Sequence, residues 1–235
     1  MKLVMPFAQI NNTHHGGQRY ENEELFKYYR AQIDWSLELG WSKDDIIIGT
    51  NFDFEYRGIE SYDLYNICNF SGFHNFWYGA FELLSAGVIE DDFWLHDHDS
   101  WPNNFFSFPQ FDGLIGGCEY IGTEQWNCGS IFIKKTAEQF LGNIVATMED
   151  NKDADISSDE QIIANLRINK EIKHFFSSIN TTYNCGLTHF DLRYENAKKP
   201  LNVCSFKPSE KKAWDKFEKV VNPNIIKHFK KHELL

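Results

Sequence analysis

Apolar positions along the chain follow two patterns. Lys2 to Ala8 and Asp44 to Thr50 contain short continuous apolar runs, as in strands covered on both faces. Between them, Glu21 to Leu39 carries Leu25, Tyr28, Tyr29, Ile33 and Leu37 at helical spacing and meets Gly40, a residue suited to a helix C-terminus. The spacing predicts a second helix over His74 to Gly87, through Phe76, Trp77, Ala80, Leu83 and Leu84. Asn51 to Ile59 reads as loop or short strand, and Phe93-Trp94-Leu95 as a strand that stops at His96-Asp97-His98-Asp99. Gly113 to Gly116 and Gly129 to Ile133 read as further strands. Helices follow over Thr136 to Met148 and from Ser158, where Ser-x-x-Gln to Gln161 forms a capping box. Lys211 to Val221 and Ile225 to His232 close the chain as basic helices.

This alternation predicts an α/β fold, with a mostly parallel sheet flanked by helices. No repeat or low-complexity linker divides the chain. The expectation is one domain over residues 1–208, with a basic helical appendage over 209–235 packed on it.

Composition then removes several classes. With 42% hydrophobic residues, among them 21 Phe, 10 Tyr and 7 Trp, the chain is not of the disordered type. No apolar run approaches the roughly 20 residues of a membrane helix, and the first residues lack the pattern of a secretory signal. Cys68, Cys118, Cys128, Cys185 and Cys204 are scattered and form no Cys-x-x-Cys pair. That argues against a disulfide framework or zinc ribbon and suits a reducing cytoplasm. The formal charge of −11 is uneven: residues 1–163 hold 27 acidic and 9 basic side chains, residues 164–235 hold 7 and 14. Such a division can place a cation-binding centre and an anion-binding surface on one molecule, or it can be uneven surface charge alone.

Ligands of a parallel sheet bind beyond the carboxyl ends of its strands, here residues 7–12, 50–53 and 96–99. In extended chain Asp97 and Asp99 point to one side while His96 and His98 point to the other. Two carboxylates suit a hard divalent cation, Mn2+ or Mg2+, with positions left for diphosphate oxygens. A solvated acidic loop is the plainer reading, and Asp153-Ala154-Asp155 repeats the pattern in such a loop. His96-x-His98 is also how a zinc hydrolase site can begin, but Ser100 and Trp101 stand where that pattern continues.

Asp159 and Glu160 open a helix, where the macrodipole favours ionised carboxylates able to hold or deprotonate a hydroxyl. As first-turn acids they need no further role. Asn127 can hydrogen-bond a polar ligand or fill a turn. Trp101 and Trp126, beside polar neighbours, can stack on a sugar or base or belong to the core. His14-His15-Gly16-Gly17 with Arg19, and further on Arg57, can meet a diphosphate, although surface loop suffices for the two histidines.

With this order of elements the sequence resembles the GT-A-type glycosyltransferases over roughly residues 1–208. Pro6-Phe7-Ala8 and Thr50-Asn51-Phe52-Asp53 match the strand ends where such enzymes hold base and ribose, which implies donor contacts for Phe7, Asn51 and Asp53. Leu95-His96-Asp97-His98-Asp99 matches the metal-binding Asp-x-Asp, with His98 on the donor side. Trp126 to Ile133 is similar to the Asn/Gly strand lining the sugar and acceptor pocket, and Ser158-Asp159-Glu160-Gln161 to the acidic helix start facing the acceptor. Metal-dependent members add a late His ligand and a phosphate-contacting Lys, which glycogenin-like members carry as His…Lys-Pro-Trp. Here Lys207-Pro208 keeps the Lys-Pro, Cys204 stands near the expected His, and no Trp follows. The resemblance then implies His189, backed by Asp191, as third ligand.

The implied activity is metal-dependent transfer of a sugar from a nucleotide diphosphate donor, a UDP-sugar, to a hydroxyl. The small, aromatic-rich chain is also similar to bacteriophage transferases that decorate hydroxymethylated pyrimidines in DNA. For such an acceptor, the basic C-terminal third (Arg193, Lys198, Lys199 and the lysines from Lys207 to Lys231) would track phosphates. A cell-surface glycan is the alternative acceptor. A carbohydrate- or nucleotide-binding module without catalysis is the alternative function.

Overall fold

The computed structural model describes residues 1–7, 22–64, 72–121, 123, 125–151 and 158–235 of the 235-residue chain. In chain order it forms β1 (Lys2–Phe7), α1 (Asn22–Leu39), β2 (Ile46–Thr50), β3 (Glu55–Tyr56), β4 (Ile59–Glu60), β5 (Tyr62–Asp63), α2 (Gly72–Ser85), β6 (Phe93–His96), β7 (Ser100–Pro102) and β8 (Ile115–Glu119). There follow β9 (Trp126–Ile133), α3 (Glu138–Asp150), α4 (Asp159–Ile168), β10 (Phe176–Ser178), β11 (Cys185–Gly186), α5 (Phe190–Asn196), β12 (Val203–Ser205), α6 (Lys211–Phe217) and α7 (Ile225–Lys231).

Among the described residues seven strands form one sheet in the order β10-β8-β9-β6-β1-β2-β5. It is mostly parallel, as expected; β9 alone runs against both its neighbours, β6 and β8. The apolar runs are covered on both faces, and their side chains alternate. Val4, Ile47 and Leu95 join Trp77, Leu83 and Leu141 on the side of α2 and α3. Met5, Ile46 and Ile48 pack with Tyr29 and Ile33 of α1. Leu3 and Trp94 join Trp41, Phe106 and Phe132.

The register brings the predicted strand ends together. Phe7 pairs with Thr50, and Val4 with Leu95, so β1, β2 and β6 release their chains at one edge. A small second sheet, β11-β12-β7, crosses that edge. It pairs Ser205 with Ser100 and Cys204 with Trp101 in antiparallel register, which carries the chain before Lys207 back onto the segment after Asp99. Below it, Tyr28, Trp35, Trp101, Phe206, Phe217 and Phe229 form one cluster, so the C-terminal helices share apolar packing with α1 and β7. The four cysteines among the described residues are free and buried, and no described helix is long and apolar enough to cross a membrane.

Candidate active site

The chain from β6 to β7 turns tightly at its acidic pair. Asp97 N–H donates to the Gly129 carbonyl (2.9 Å), Ser100 N–H to the Asp97 carbonyl (3.0 Å), and Phe206 N–H to the Asp99 carbonyl (2.9 Å). Asp97, His98 and Asp99 are half-buried. Burial, then the charges of Asp99, Asp159 and Glu160, push the Asp97 carboxyl well above the ordinary range; Lys207 is the cation that opposes them. Four carboxylates and Lys207 therefore share one electrostatic environment at the carboxyl edge of the sheet.

The two histidines differ. His96 lies in the core, stacked on Trp94 with ring centres 3.8 Å apart, and burial holds its imidazole down to about 3, in the neutral form. His98 sits edge-on to Tyr28 (4.8 Å) and Phe7 (6.1 Å). Among the described residues no three His, Cys, Asp or Glu side chains are grouped so as to hold a metal ion. The set Asp97, Asp99 and His189 is therefore not assembled as the resemblance implied. His189 is an exposed residue in the left-handed region, leading into α5. The zinc reading of His96 and His98 gains no third partner either.

A hydrogen-bonded chain leads from Asp97 into α4. Gly129 makes room for it: a Cβ there would lie 2.9 Å from Asp97 Oδ2 and 3.3 Å from Asn127 Oδ1. Asn127 Nδ2 donates to the Tyr120 hydroxyl (3.0 Å), which donates to Glu160 Oε1 (2.9 Å). Gln125 Nε2 donates to Glu160 Oε2 (3.2 Å) and Cys128 N–H to Oε1 (3.4 Å). Asn184 Nδ2 donates to Asn127 Oδ1 (2.8 Å), and Ser205 Oγ to Asn184 Oδ1 (2.8 Å). Ser205 Oγ in turn lies 2.8 Å from Ser100 Oγ, which donates to the Gly129 carbonyl (2.7 Å).

The acidic helix start divides into two roles. Ser158 caps α4 by accepting from Gln161 N–H (3.2 Å), as the capping box predicts. Asp159 is buried, with Oδ2 taking Trp77 Nε1–H (3.0 Å) and Oδ1 the Glu160 N–H (2.9 Å). Burial raises its pKa to about 7 despite these donors. Desolvation thus works against the ionised form that the helix terminus favours. Glu160 is half-buried and also raised, first by burial.

Other expected residues are engaged elsewhere. Trp101 is 1% exposed, packed on Tyr28 and Phe229, with Nε1 donating to the Phe206 carbonyl (3.0 Å). Trp126 is wholly buried against Gly117, with the Arg167 guanidinium 4.3 Å from its ring centre. Neither ring has an open face, so stacking on a sugar is corrected to core packing. Arg57, in the β3–β4 turn, bonds Asp34 (2.9 Å) together with Lys231, His232 and Tyr56. It ties the β3–β4 turn to α1 instead of standing free for a diphosphate, and the same Asp34 joins α1 to α7 through Lys231. Asn51 is half-buried and Asp53 exposed, just beyond β2. Arg19, His14, His15 and the Asp153–Asp155 pair lie outside the described residues, as does Cys68.

Arg193, counted above among surface cations, has 0% exposure. It and Tyr120, Gln125, Asn184 and Ser205 were not singled out as site residues. Asn184, two positions before Gly186, could be recognised only from β11 lying beside β12, a pairing that no periodicity announces.

No family model matches the sequence, and none of the curated proteins matches it. Among solved structures the chain is similar to a glycosyltransferase involved in the glycosylation of the major capsid of PBCV-1, at 9% identity over 100% of both chains and a TM-score of 0.54. It is similar to an active-site mutant of LgtC (15% identity, TM-score 0.56, 94% of this chain and 95% of that one). It is also similar to the glycosyltransferase GlyE of Streptococcus pneumoniae (13% identity, TM-score 0.59, 99% and 64%). LgtC is a galactosyltransferase that has been solved with donor and acceptor sugar analogues. At these identities the likeness establishes the fold: a mostly parallel α/β sheet of the GT-A type.

Proposed function

We propose that the chain is a glycosyltransferase that takes a sugar from a nucleotide diphosphate donor and passes it to a hydroxyl. The observation carrying this reading is the geometry at the carboxyl edge of a GT-A-type sheet, where the turn of Asp97 and Asp99 is bonded to Gly129 and to Phe206, the neighbour of Lys207, and where Cys128, next to Gly129, bonds Glu160.

Asp97 and Asp99 would hold Mn2+ or Mg2+. The donor set fits: hard carboxylate oxygens, where burial and then the neighbouring carboxylate charges already push Asp97 toward its neutral form. Such a cation supplies neutralisation for the charge that develops on a departing nucleoside diphosphate. Lys207, whose charge reaches Asp97 and His98, suits a diphosphate oxygen. Phe7 and His98, edge-on to one another at the ends of β1 and β6, suit the donor side, as do Asn51 and Asp53 beyond β2.

Glu160 suits the acceptor. A carboxylate takes about four hydrogen bonds; Tyr120, Gln125 and Cys128 fill three, which leaves capacity for one hydroxyl that the ionised group can hold or deprotonate. Asp159, sealed beneath it, fixes the start of α4. For the acceptor class we favour a saccharide over DNA. The basic C-terminal third is partly spent on the protein itself, with Lys216 on Asp191, Lys227 on Glu38 and Lys231 on Asp34.

The test is a transfer and donor-hydrolysis assay over UDP-, GDP- and other nucleotide-linked sugars with Mn2+ or Mg2+. Turnover should fall to background in Asp97→Asn and in Asp99→Asn while both variants stay folded. Wild-type turnover retained in both would end the assignment.

A further inference from the structure

We infer that Arg193, a residue without solvent contact, is the positioning residue of this site: it carries the charge under Tyr120 that holds Glu160 and, through Asn184, orients Asn127. The inference rests on the glycosyltransferase reading for what the site does, but its geometry stands apart from it.

A guanidinium is a permanently charged group with five N–H donors, and burying one is costly unless it is paired. Arg193 is fully buried, and among the described residues its Nε and Nη1 have no hydrogen-bond partner. Nη2 alone is satisfied, by the Asn184 carbonyl. The chain thus keeps a cation in its interior without the bonds that would make it a structural staple. The groups around it belong to the site. Its Cζ lies 5.2 Å from the centre of the Tyr120 ring. A cation against an aromatic face draws electron density from the ring and makes the phenol a stronger donor, and the phenol of Tyr120 donates to Glu160.

The second connection runs through Asn184. Arg193 fixes its carbonyl, and its side chain then bridges Asn127 Oδ1 and Ser205 Oγ. Gly186 completes the arrangement, since a Cβ there would lie 3.0 Å from Arg193 Nη1 and 3.5 Å from Asn127 Nδ2. The glycine lets β11 approach the guanidinium and the amide at once.

Glu160 faces Tyr120 and Gln125 from the β8–β9 connection, the Cys128 N–H from β9, Asp159 from its own helix and Arg193 from α5; the charge of Glu160 also reaches Asp97 beyond β6. Arg193 is the cation in this set. It works against burial, which raises the Glu160 pKa.

The experiment compares Arg193→Met, Arg193→Lys and Gly186→Ala with wild type. In metal-free protein, NMR titration of the labelled Glu160 carboxyl should show a higher pKa in Arg193→Met and a value near wild type in Arg193→Lys. This readout does not depend on turnover. In the transfer assay Arg193→Met should lose kcat by about 100-fold, the order that a small misplacement by a change away from the reacting atoms can cost, with nucleotide diphosphate affinity within twofold of wild type. Arg193→Lys should recover part of that loss. If Arg193→Met does not fold, Gly186→Ala displaces the same guanidinium and should lower kcat with the same split. An unmoved Glu160 titration in Arg193→Met, or in Gly186→Ala if that variant must stand in, would overturn the inference. So would affinity lost in proportion to kcat. Absence of turnover in wild type, with the Glu160 shift present, would sink the glycosyltransferase reading and leave the positioning role standing.

Discussion

Gly129 is the residue on which the carboxylate geometry turns. A methyl group at that position would press on Asp97 Oδ2 at 2.9 Å and on Asn127 Oδ1 at 3.3 Å. Gly129→Ala is expected to cost the fold roughly 1–3 kcal/mol, the usual cost of crowding a packed site, and to weaken Mn2+-dependent nucleotide binding because Asp97 must shift; a thermal melt and calorimetry on the variant check the two effects. Asp97 gives a prediction of opposite sign for stability. Its folded pKa is raised above its unfolded value, so the ionised form destabilises the metal-free fold at neutral pH, and the penalty fades as pH falls. Asp97→Asn should therefore melt above wild type, by about 2–4 °C for each kcal/mol of desolvation and repulsion relieved. An unchanged or lower melt would count against the cluster. Asp97 and Asp99 stand out in the chain because a strand ends at them and Glu160 because a helix cap precedes it, while Lys207 is marked only by the resemblance of its Lys-Pro. Arg193 could not: in sequence it is one of 14 basic residues in the final third, and only its burial separates it from the rest. Trp101 and Trp126 misled for the converse reason, since polar neighbours in sequence say nothing about what covers a ring.

Among the elements, the continuous apolar runs of β1, β2 and β6 and the periodic helices α1, α2 and α3 were legible, with ends displaced by at most about two residues. β7, β10, β11 and β12 were not, because strands of two or three residues carry no period of their own. They exist because backbone groups at the sheet edge need partners, as when Ser205 pairs with Ser100. The basic tail reads differently once α7 is seen against α1. Asp34, nearly buried, takes Arg57, Lys231, His232 and Tyr56. Burial works against its ionisation, but the Lys231, His232 and Tyr56 donors outweigh it and hold the carboxyl below the ordinary range. Such a group stabilises the fold above its unfolded pKa of about 4, and the contribution is lost as pH falls through the lower folded value. Asp34→Ala is expected to cost about 2–3 kcal/mol at pH 7, less than a fully buried pair because Arg57 and Lys231 are half exposed. In a chain of this size that is a fall in Tm of roughly 4–12 °C. The variant should close on wild type below pH 4, and a constant difference across pH would contradict the latch.

For the whole molecule, the division of charge becomes an internal match: basic helices lie on an acidic body, and Lys227 and Lys231 meet Glu38 and Asp34. A net charge of −11 with part of its basic third neutralised this way predicts no retention of duplex DNA at 0.15 M salt, where proteins that track phosphates still bind. A gel-shift assay decides it, and a salt-dependent complex would restore DNA as acceptor. The central claim is that Asp97 and Asp99 make a cation-dependent site for a nucleoside diphosphate. The most direct measurement is calorimetric titration of UDP, then of the other nucleoside diphosphates, into metal-free protein with and without Mn2+ or Mg2+. The account predicts binding that requires the cation and disappears in Asp97→Asn. Binding that is indifferent to cation and to Asp97, or none with any nucleotide by a folded protein, would contradict it.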